Sequence, residues 1–231
     1  MKIFIISLVA AKQRRKFQQA QMKRLNLAFE FLDATRVEDI DQDFYEKYAM
    51  DWQRPLRKTE VACYLSHRNA WQRISQNQEP ALILEDDALL SKCVPKILSR
   101  LLQANGRDLV NLENRSRKKF VAKVGVDTAC NSKVLRLYQD RTGAAGYVLY
   151  PAGADKLLLA DKRKGIALAD AQITACYSLK AYQIEPSPVV QLDQCEHYGL
   201  NVLAAETGAD RSTISTSDYQ KGGLSFRVKR L

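Results

Sequence analysis

A short apolar run that ends in acidic residues constrains the fold of this chain more than any other feature. Ala81–Leu90 reads ALILEDDALL. Four apolar residues therefore run directly into three acids, Glu85, Asp86 and Asp87. An unbroken apolar run of this length is typical of a strand that is buried on both faces of a parallel sheet. Because ligands bind beyond the carboxyl ends of the strands in such sheets, the pattern predicts an acidic cluster in a ligand crevice.

Three adjacent carboxylates repel one another unless a cation joins them. Hard oxygen ligands of this kind suit Mg²⁺ or Mn²⁺, which proteins often share with a substrate phosphate. The leading hypothesis is therefore a metal site that holds a nucleotide diphosphate. The alternative is a solvated N-cap ahead of the predicted helix Val94–Gln103, where acids are favoured by the helix dipole alone.

The composition is that of an ordinary globular protein. Of the 231 residues, 46% are hydrophobic and 27% are charged, which allows a sizeable core. No apolar run reaches the roughly 18 residues of a membrane-spanning helix. Met1–Leu8 is too short for a signal-peptide core and reads better as a first strand. The five cysteines include no CxxC pair, so neither a disulfide framework nor a zinc site is expected and a reducing cytoplasm fits best.

The formal charge of +10 narrows the range of partners. The basic excess is concentrated in Leu112–Arg141 and in Arg211–Leu231. Phosphorylated substrates, anionic lipid headgroups and nucleic acid would all be attracted by it. Nucleic acid is not an expected partner, because the basic segments lack interleaved stacking aromatics and no nucleic-acid-binding motif is present. Solvated surface charge is the alternative interpretation.

The apolar periodicity predicts strands that alternate with helices. The predicted strands are Lys2–Leu8, Phe29–Leu32, Ala81–Leu84, Asp108–Leu112, Val134–Tyr138, Tyr147–Tyr150 and Val189–Leu192. The predicted helices are Val9–Asn26, Asp39–Trp52, Lys58–Gln76, Val94–Gln103, Pro151–Asp161 and a last one that begins at Ile166–Asp170 and runs to about Lys180. Asn114–Lys133 is predicted to be a long loop or a hairpin that forms a lid. This alternation predicts an α/β fold with a mainly parallel central sheet.

Other residues are candidates for chemistry, and each has a structural alternative. Arg14 and Arg15 follow the first strand and could clamp a diphosphate, or could be ordinary exposed helix charge. His67 lies in the middle of a helix, where a buried structural histidine is the preferred interpretation. The small residues from Gly143 to Gly146 would allow a ligand to approach the backbone closely, or would form a tight turn.

Five motifs, taken in order, resemble glycosyltransferase family 25, which includes bacterial lipooligosaccharide transferases and relatives of the collagen galactosyltransferases. The resemblance spans roughly residues 3–192. The motifs are the strand Phe4–Leu8 with the paired Arg14 and Arg15, the helix Thr59–His67 followed by Trp71, the strand Ala81–Asp87, the segment Thr142–Tyr147 followed by a helix with Gly153 and Ala154, and the late strand Val189–Gln191.

This resemblance implies a GT-A-like, Rossmann-like catalytic domain over residues 1–192. Residues 193–231 are expected to form an irregular, basic C-terminal extension on or near the same domain. The implied activity is inverting transfer of a sugar, galactose from UDP-galactose above all, to a sugar of the lipid A-core of lipooligosaccharide or lipopolysaccharide. Mn²⁺, or Mg²⁺ in its place, is the implied cofactor.

The resemblance also assigns roles to residues. Asp87 would contact the metal directly, Asp86 would lie toward the ribose, and Glu85 would act through water or by supporting the direct ligands. Arg14 or Arg15 would share the charge of the phosphates, and His197 would complete the metal shell. The remaining residues expected to bind the donor are Ser7, Leu8, Thr142, Gly143 and Gly146.

Inversion requires one base that deprotonates the acceptor hydroxyl on the face opposite the leaving group. Asp170 is the candidate, because it matches an acidic position of the family and follows a strand-like run. A plain helix cap is the alternative interpretation of the same residue.

Rival functions come from other classes. One is a non-catalytic module that binds a glycan or a nucleotide sugar with a degenerate site. A Mg²⁺-dependent phosphotransferase or phosphatase is another, although the sequence has neither a GxxxxGK[ST] loop nor an acidic DxD motif after the first strand. The expected location is the bacterial cytoplasm, where the basic C-terminal segment would either touch the anionic inner membrane or serve solubility alone.

Overall fold

The computed structural model describes residues 1–140 and 143–200, and they form an α/β fold. The strands are β1 Lys2–Ser7, β2 Glu30–Asp33, β3 Ala81–Glu85, β4 Ala88–Leu90, β5 Leu109–Asn111, β6 Phe120–Asp127, β7 Lys133–Gln139, β8 Gly146–Leu149, β9 Ala181–Glu185 and β10 Val189–Gln191. The helices are α1 Lys12–Leu25, α2 Gln42–Tyr48, α3 Lys58–Asn77, α4 Val94–Leu102, α5 Pro151–Lys164 and α6 Ala169–Ala175. Short 3₁₀ turns occupy Val37–Asp39 and Leu192–Gln194.

The central sheet has the strand order β2-β1-β3-β8-β5-β9-β7-β6 within the described part of the chain. The pairs β1–β2, β1–β3 and β5–β9 are parallel, whereas β8 and β7 run antiparallel to their neighbours. Six of these eight strands consequently point in one direction. The predicted architecture, a mainly parallel sheet flanked by helices, is confirmed.

Both faces of the sheet are covered, as the apolar runs of β1 and β3 predict. In β3, Leu82 and Leu84 join one buried cluster and Ala81 and Ile83 join the other. The cluster with Leu82 and Leu84 packs against α1 and α4. The cluster with Ala81 and Ile83 packs against α3, α5 and α6. A strand covered on both faces is rigid, so whatever follows β3 is held firmly in place.

The local departures from the predicted elements have physical causes. The last helix ends at Ala175 rather than near Lys180, because the residues from Ala181 pair with both β5 and β7. The predicted helix Asp39–Trp52 shrinks to α2, which begins where the Asp41 side chain accepts a hydrogen bond from the backbone N–H of Phe44. The expected loop or hairpin lid is a hairpin, formed by β6 and β7.

One expectation from the cysteines is wrong. Cys93, just before α4, and Cys130, in the β6–β7 turn, form a disulfide across 37 residues, with their Cα atoms 6.1 Å apart. The count and spacing of cysteines gave no sign of this pair, because the contact arises from packing of the hairpin against α4. The argument for a reducing compartment from the cysteines therefore loses its support. Among the described residues, no helix combines the length and the apolar character needed to cross a membrane.

Candidate functional site

The acidic cluster lies where several strands end at one edge of the sheet. Strands β1, β2 and β3 finish there with Ser7, Asp33 and Glu85. Because β8 runs the opposite way, it begins at the same edge, and the backbone N–H of Glu85 donates to the carbonyl of Ala145 at 3.0 Å. The parallel direction of the strands thus gathers residues that are far apart in sequence.

Asp86 is the member of the cluster that is tied most firmly to the fold. Its Oδ2 accepts a hydrogen bond from Ser7 Oγ at 2.7 Å, and its Oδ1 accepts one from Arg14 Nη1 at 3.0 Å. Gln18 in α1 donates to the backbone carbonyls of Asp86 and Ala88, at 3.0 and 2.8 Å. These bonds fix α1 and the end of β1 against the turn after β3. The expected role of Asp86 toward a ribose stays a prediction.

Glu85 is held by a buried relay from α3. Trp71 Nε1 donates to the Tyr147 hydroxyl at 2.8 Å, that hydroxyl lies 2.9 Å from His67 Nδ1, and His67 Nε2 lies 3.2 Å from Glu85 Oε1. Burial alone would raise the pKa of Glu85, but the hydrogen bond and charge of His67 lower it overall. His67 is fully buried, so it has the structural place beneath the site that the sequence favours.

Asp87 differs from Asp86 because no lysine or arginine of the described residues forms an ion pair with it, although the charge of Arg14 acts on it from a greater distance. Gln191 Nε2 donates to both carboxylate oxygens of Asp87 at 3.5 Å and to Glu85 at 3.1 Å. Burial, followed by repulsion from Glu85, raises the pKa of Asp87 to about 7. A carboxylate in this state gains when a cation approaches it.

Glu113 is a site residue that the sequence reasoning missed. It follows β5, its side chain is buried, and its Oε2 accepts the backbone N–H of Ala145 at 2.9 Å. Its Oε1 is buried without a hydrogen-bond partner. Burial, together with the charge of Glu85, raises its pKa to about 8. The signal that could have found it is its position, because it is an acid that directly follows a predicted strand, as Glu85 does.

The paired arginines have different partners. Arg14 faces the cluster through Asp86. Arg15 donates to the carbonyls of Ser7 and Leu8, at 2.8 and 3.1 Å, and pairs with Asp33. The structure therefore brings Arg14 to the acidic cluster, whereas Arg15 braces the loop after β1.

The other predicted donor residues have mixed surroundings. Leu8 is exposed at the edge of the sheet. Gly143 has φ of +110°, and a Cβ there would lie 2.7 Å from Glu113 Oε2. A Cβ on Gly146 would meet the Val189 side chain at 2.8 Å, so this glycine serves the packing of β10. Thr142 lies outside the described residues, and its role stays a prediction.

Asp170 and His197 were expected to act as base and metal ligand. Asp170 lies in the first turn of α6, partly buried, with Oδ1 accepting the Ala171 N–H at 2.7 Å. Burial raises its pKa, and repulsion from Glu85 adds to the rise. His197 is exposed and packs edge-on against Tyr198. Neither assignment is tested by these positions.

The donor set fits a hard divalent cation. Asp87 and Glu113 have pKa values raised to about 7 and 8, and the free atoms Glu113 Oε1 and Gln191 Oε1 are buried oxygens without partners. Oxygen atoms of this kind suit Mg²⁺ or Mn²⁺. Among the described residues, Cys63, His67 and Glu85 also bring three possible metal-ligand atoms together, all within 4.8 Å of one another. Burial and the nearby carboxylates keep the pKa of the Cys63 thiol high, which leaves it a poor ligand.

The family of this chain is identified by a match to a family model. The family model described as glycosyltransferase family 25 (LPS biosynthesis protein) matches residues 1–172. That match covers most of the chain, and the protein belongs to glycosyltransferase family 25.

Individual relatives are distant. The lipooligosaccharide biosynthesis protein lic2B of Haemophilus influenzae is 25% identical over 83% of this chain and 76% of its own length. A procollagen galactosyltransferase 1-B of Xenopus laevis is 30% identical over 37% of this chain and 16% of its own length. The crystal structure of the glycosyltransferase GlyE of Streptococcus pneumoniae aligns with a TM-score of 0.42 and 12% identity, over 99% of this chain and 59% of that one.

Proposed function

We propose that this protein is an inverting hexosyltransferase that moves galactose from UDP-galactose to a core sugar of lipooligosaccharide or lipopolysaccharide. Membership of family 25 supports glycosyl transfer. The name of the Haemophilus relative supports the lipooligosaccharide acceptor, and that of the Xenopus relative supports galactose. The donor, the acceptor and the stereochemistry are parts of this proposal.

One observation supports the proposal most directly: at the carboxyl edge of the sheet, the partly buried Asp87 and the buried Glu113 have no ion-pair partner among the described residues. Within residues 1–140 and 143–200, no lysine or arginine forms an ion pair with Asp87 or Glu113. The nearby Arg14 and Arg115 are paired with Asp86 and Asp193. Burial of uncompensated carboxyl groups is costly, so folds retain them where a ligand completes them.

A divalent cation would be held by Asp87, and the unpartnered carboxylate oxygen of Glu113 is a second candidate ligand. When bound, it would neutralise the charge that grows on a departing diphosphate. Arg14 lies beside the cluster on α1 and would contribute a fixed positive charge to the same phosphates. Asp86, held by Ser7 and Arg14, keeps that arginine aimed at the site.

Asp170 is the proposed base. Its carboxyl group is partly buried and its pKa is raised, which makes it a better proton acceptor than an exposed aspartate. It would take the proton of the acceptor hydroxyl as that oxygen attacks the anomeric carbon, while the bond from that carbon to UDP breaks. The opposite reading, a first-turn helix acid, is supported by its bond to the Ala171 N–H.

The test is a panel of UDP-sugars, each with Mn²⁺, Mg²⁺ or EDTA, screened by thermal unfolding and then by turnover. A ligand at 100 times its dissociation constant stabilises the folded state by about 2.7 kcal/mol, or roughly 5–10 °C for a chain of this size. We expect this shift with UDP-galactose and Mn²⁺, and its loss in EDTA. A shift without release of UDP in the presence of core oligosaccharide would favour a non-catalytic binding module. No shift with any UDP-sugar would contradict the proposal.

We further propose a cytoplasmic location with peripheral contact to anionic membrane. The basic segment Arg211–Leu231, which motivates this contact, lies outside the described residues. Each basic residue near an anionic surface adds about 1 kcal/mol of attraction. Sedimentation with anionic vesicles at low and high salt measures it, and binding that is absent at both would exclude the contact.

A further inference from the structure

A cavity of about 210 Å³ lies beside the acidic cluster and has no role in the proposed handling of the donor. Its wall combines the end of β7, residues of β5 and β8, and the segment from α6 to β9. It shares Gly143, the neighbour of Glu113, and Tyr147, the partner of His67, with the site. The cavity and the acidic cluster are thus adjoining spaces.

Two tyrosines that line this cavity are largely exposed. Tyr138 at the end of β7 is 63% exposed, and Tyr177 after α6 is 77% exposed. A large aromatic ring in water does not gain the free energy that its burial would supply. Tyrosines in such positions are enriched at binding surfaces. Two of them around one concave space indicate a flat, partly apolar ligand.

The floor of the cavity is rigid and polar. Arg136 donates to the carbonyls of Leu179 and Ala181, and so fixes β7 to the start of β9. Asp140 accepts from Asn111 Nδ2 at 3.0 Å and pairs with Lys119 at 3.1 Å. Arg136 also lies over the Tyr138 ring, with its Cζ atom 5.7 Å from the ring centroid. Polar side chains thus line the cavity beside the tyrosines, and they suit the hydroxyl groups around the apolar face of a sugar.

The position of the cavity decides between the two substrates of a glycosyltransferase. The phosphate-facing groups, Ser7 and Arg14, lie on the β1 side of β3. The cavity lies on the other side, across β8, along β5, β9 and β7. Helix α6 runs from the proposed base to the cavity. Asp170 is in its first turn, and Thr174, in its last turn, lines the cavity.

We propose that this cavity is the acceptor subsite and binds one pyranose ring of the acceptor glycan, stacked on Tyr138 and Tyr177. The proposal rests on the proposed transferase function for the name of its ligand. The bound ring would lie along α6 from Asp170, which does not itself line the cavity, and on the far side of the acidic cluster from Arg14. The volume suits a single sugar ring and leaves the rest of the glycan outside.

The experiment measures sugar binding without turnover. Methyl β-D-galactopyranoside, methyl β-D-glucopyranoside and methyl α-D-mannopyranoside are titrated against the whole protein by saturation-transfer NMR, and UDP with Mn²⁺ is titrated in parallel by calorimetry. The variants are Tyr177→Ala, Tyr138→Ala and Tyr177→Phe. Phe120→Ala is the matched control, because Phe120 is 64% exposed on β6 and does not line the cavity.

We expect at least one glycoside to bind the wild type and to bind either alanine variant about tenfold more weakly, which corresponds to about 1.4 kcal/mol. Tyr177→Phe and Phe120→Ala should bind as the wild type does, and melting temperatures identify any variant that fails to fold. UDP affinity should stay within about twofold.

Equal glycoside binding by Tyr177→Ala, Tyr138→Ala and the wild type would overturn the proposal, as would a wild type that binds none of the three sugars. Loss of UDP affinity in the tyrosine variants would also overturn it, because the rings would then stack on the uracil. If the wild type binds glycosides at these tyrosines but no UDP-sugar, the cavity is a glycan-binding site and the transferase function fails.

Discussion

Two groups of buried carboxylates in this protein have opposite electrostatics. At the start of α3, Glu60 is buried and accepts two hydrogen bonds from Arg54, at 2.8 and 2.6 Å, and one from the Arg57 N–H at 2.9 Å. Burial tends to raise the pKa of Glu60, but Arg54 more than offsets this and the net shift is downward. At the acidic cluster, Asp87 and Glu113 are also buried or partly buried, yet their pKa values rise to about 7 and 8.

The difference teaches that burial of an acid does not by itself mark a functional site. Glu60 comes with its own cation and contributes to the fold. Asp87 and Glu113 have no such ion-pair partner, and the more distant charges of Arg14 and Arg115 offset only part of the cost of burying them. The buried but unpaired state, at an edge where strands converge, is what distinguishes the candidate site.

The largest expected effect concerns a third kind of carboxylate, the proposed base. Asp170→Asn should lower turnover of UDP-galactose by roughly 100- to 10,000-fold, the usual contribution of a general base, while affinity for the UDP-sugar stays within about twofold. Steady-state kinetics and calorimetry measure the two quantities. Asp43→Asn is the control, because Asp43 is also a first-turn acid, in α2. If Asp170→Asn loses stability and keeps its turnover, the residue is a helix cap.

The second prediction concerns Glu60, the buried acid that is paired with Arg54. Glu60→Gln removes one partner of a buried pair and leaves the Arg54 charge unmatched, so the free energy of unfolding should fall by about 3 kcal/mol. Urea unfolding measures this, and UDP affinity with Mn²⁺ should persist in the folded protein. A neutral effect on stability would mean that Arg54 is solvated well enough to make Glu60 no different from a surface acid.

Asp87→Asn tests whether the acid without an ion-pair partner belongs to a metal site. Even an outer partner of a metal site typically contributes a factor of about 10–100 to affinity, so loss of Asp87 should weaken Mn²⁺-dependent UDP binding by at least about 100-fold. Metal-free stability should not decrease, because the variant removes a carboxylate whose charged form is disfavoured at this position. Unchanged affinity with Mn²⁺ would remove Asp87 from the site.

The last prediction concerns the pH dependence of stability without metal. Asp87 and Glu113 bind protons more tightly in the folded state than in the unfolded one, so the folded state holds more protons between roughly pH 4 and 8. The free energy of unfolding should therefore fall as pH rises through this range, by up to about 1.4 kcal/mol per pH unit for each group.

Thermal unfolding in EDTA from about pH 6 to pH 8 measures this slope. Glu113→Gln should flatten its upper part, because glutamine does not titrate. Glu60 changes the free energy of unfolding with pH in the opposite direction. Because its pKa is lowered, the stability it contributes is lost only as pH falls below the ordinary glutamate range. A wild-type slope that is unchanged in Glu113→Gln would show that Glu113 is not a buried acid in solution.

Much of the fold followed from the sequence, because its signals are local. The apolar run before Glu85 predicted a strand covered on both faces, and β3 has its side chains in both buried clusters. The same pattern placed three acids at the carboxyl edge. β9 was missed because its residues become a strand only by pairing with β5 and β7, which are distant in the chain.

The sequence by itself determined the alternation of strands and helices, the family motifs and the acidic end of β3, since each depends on neighbours along the chain. Only the tertiary structure decided that Asp86 is paired while Asp87 is not, that Glu113 joins them, and that Cys93 reaches Cys130. The physical reason is that desolvation and charge pairing depend on neighbours in space. Those neighbours come from α1, β5, β8 and β10, and they meet at the site only after the sheet has formed.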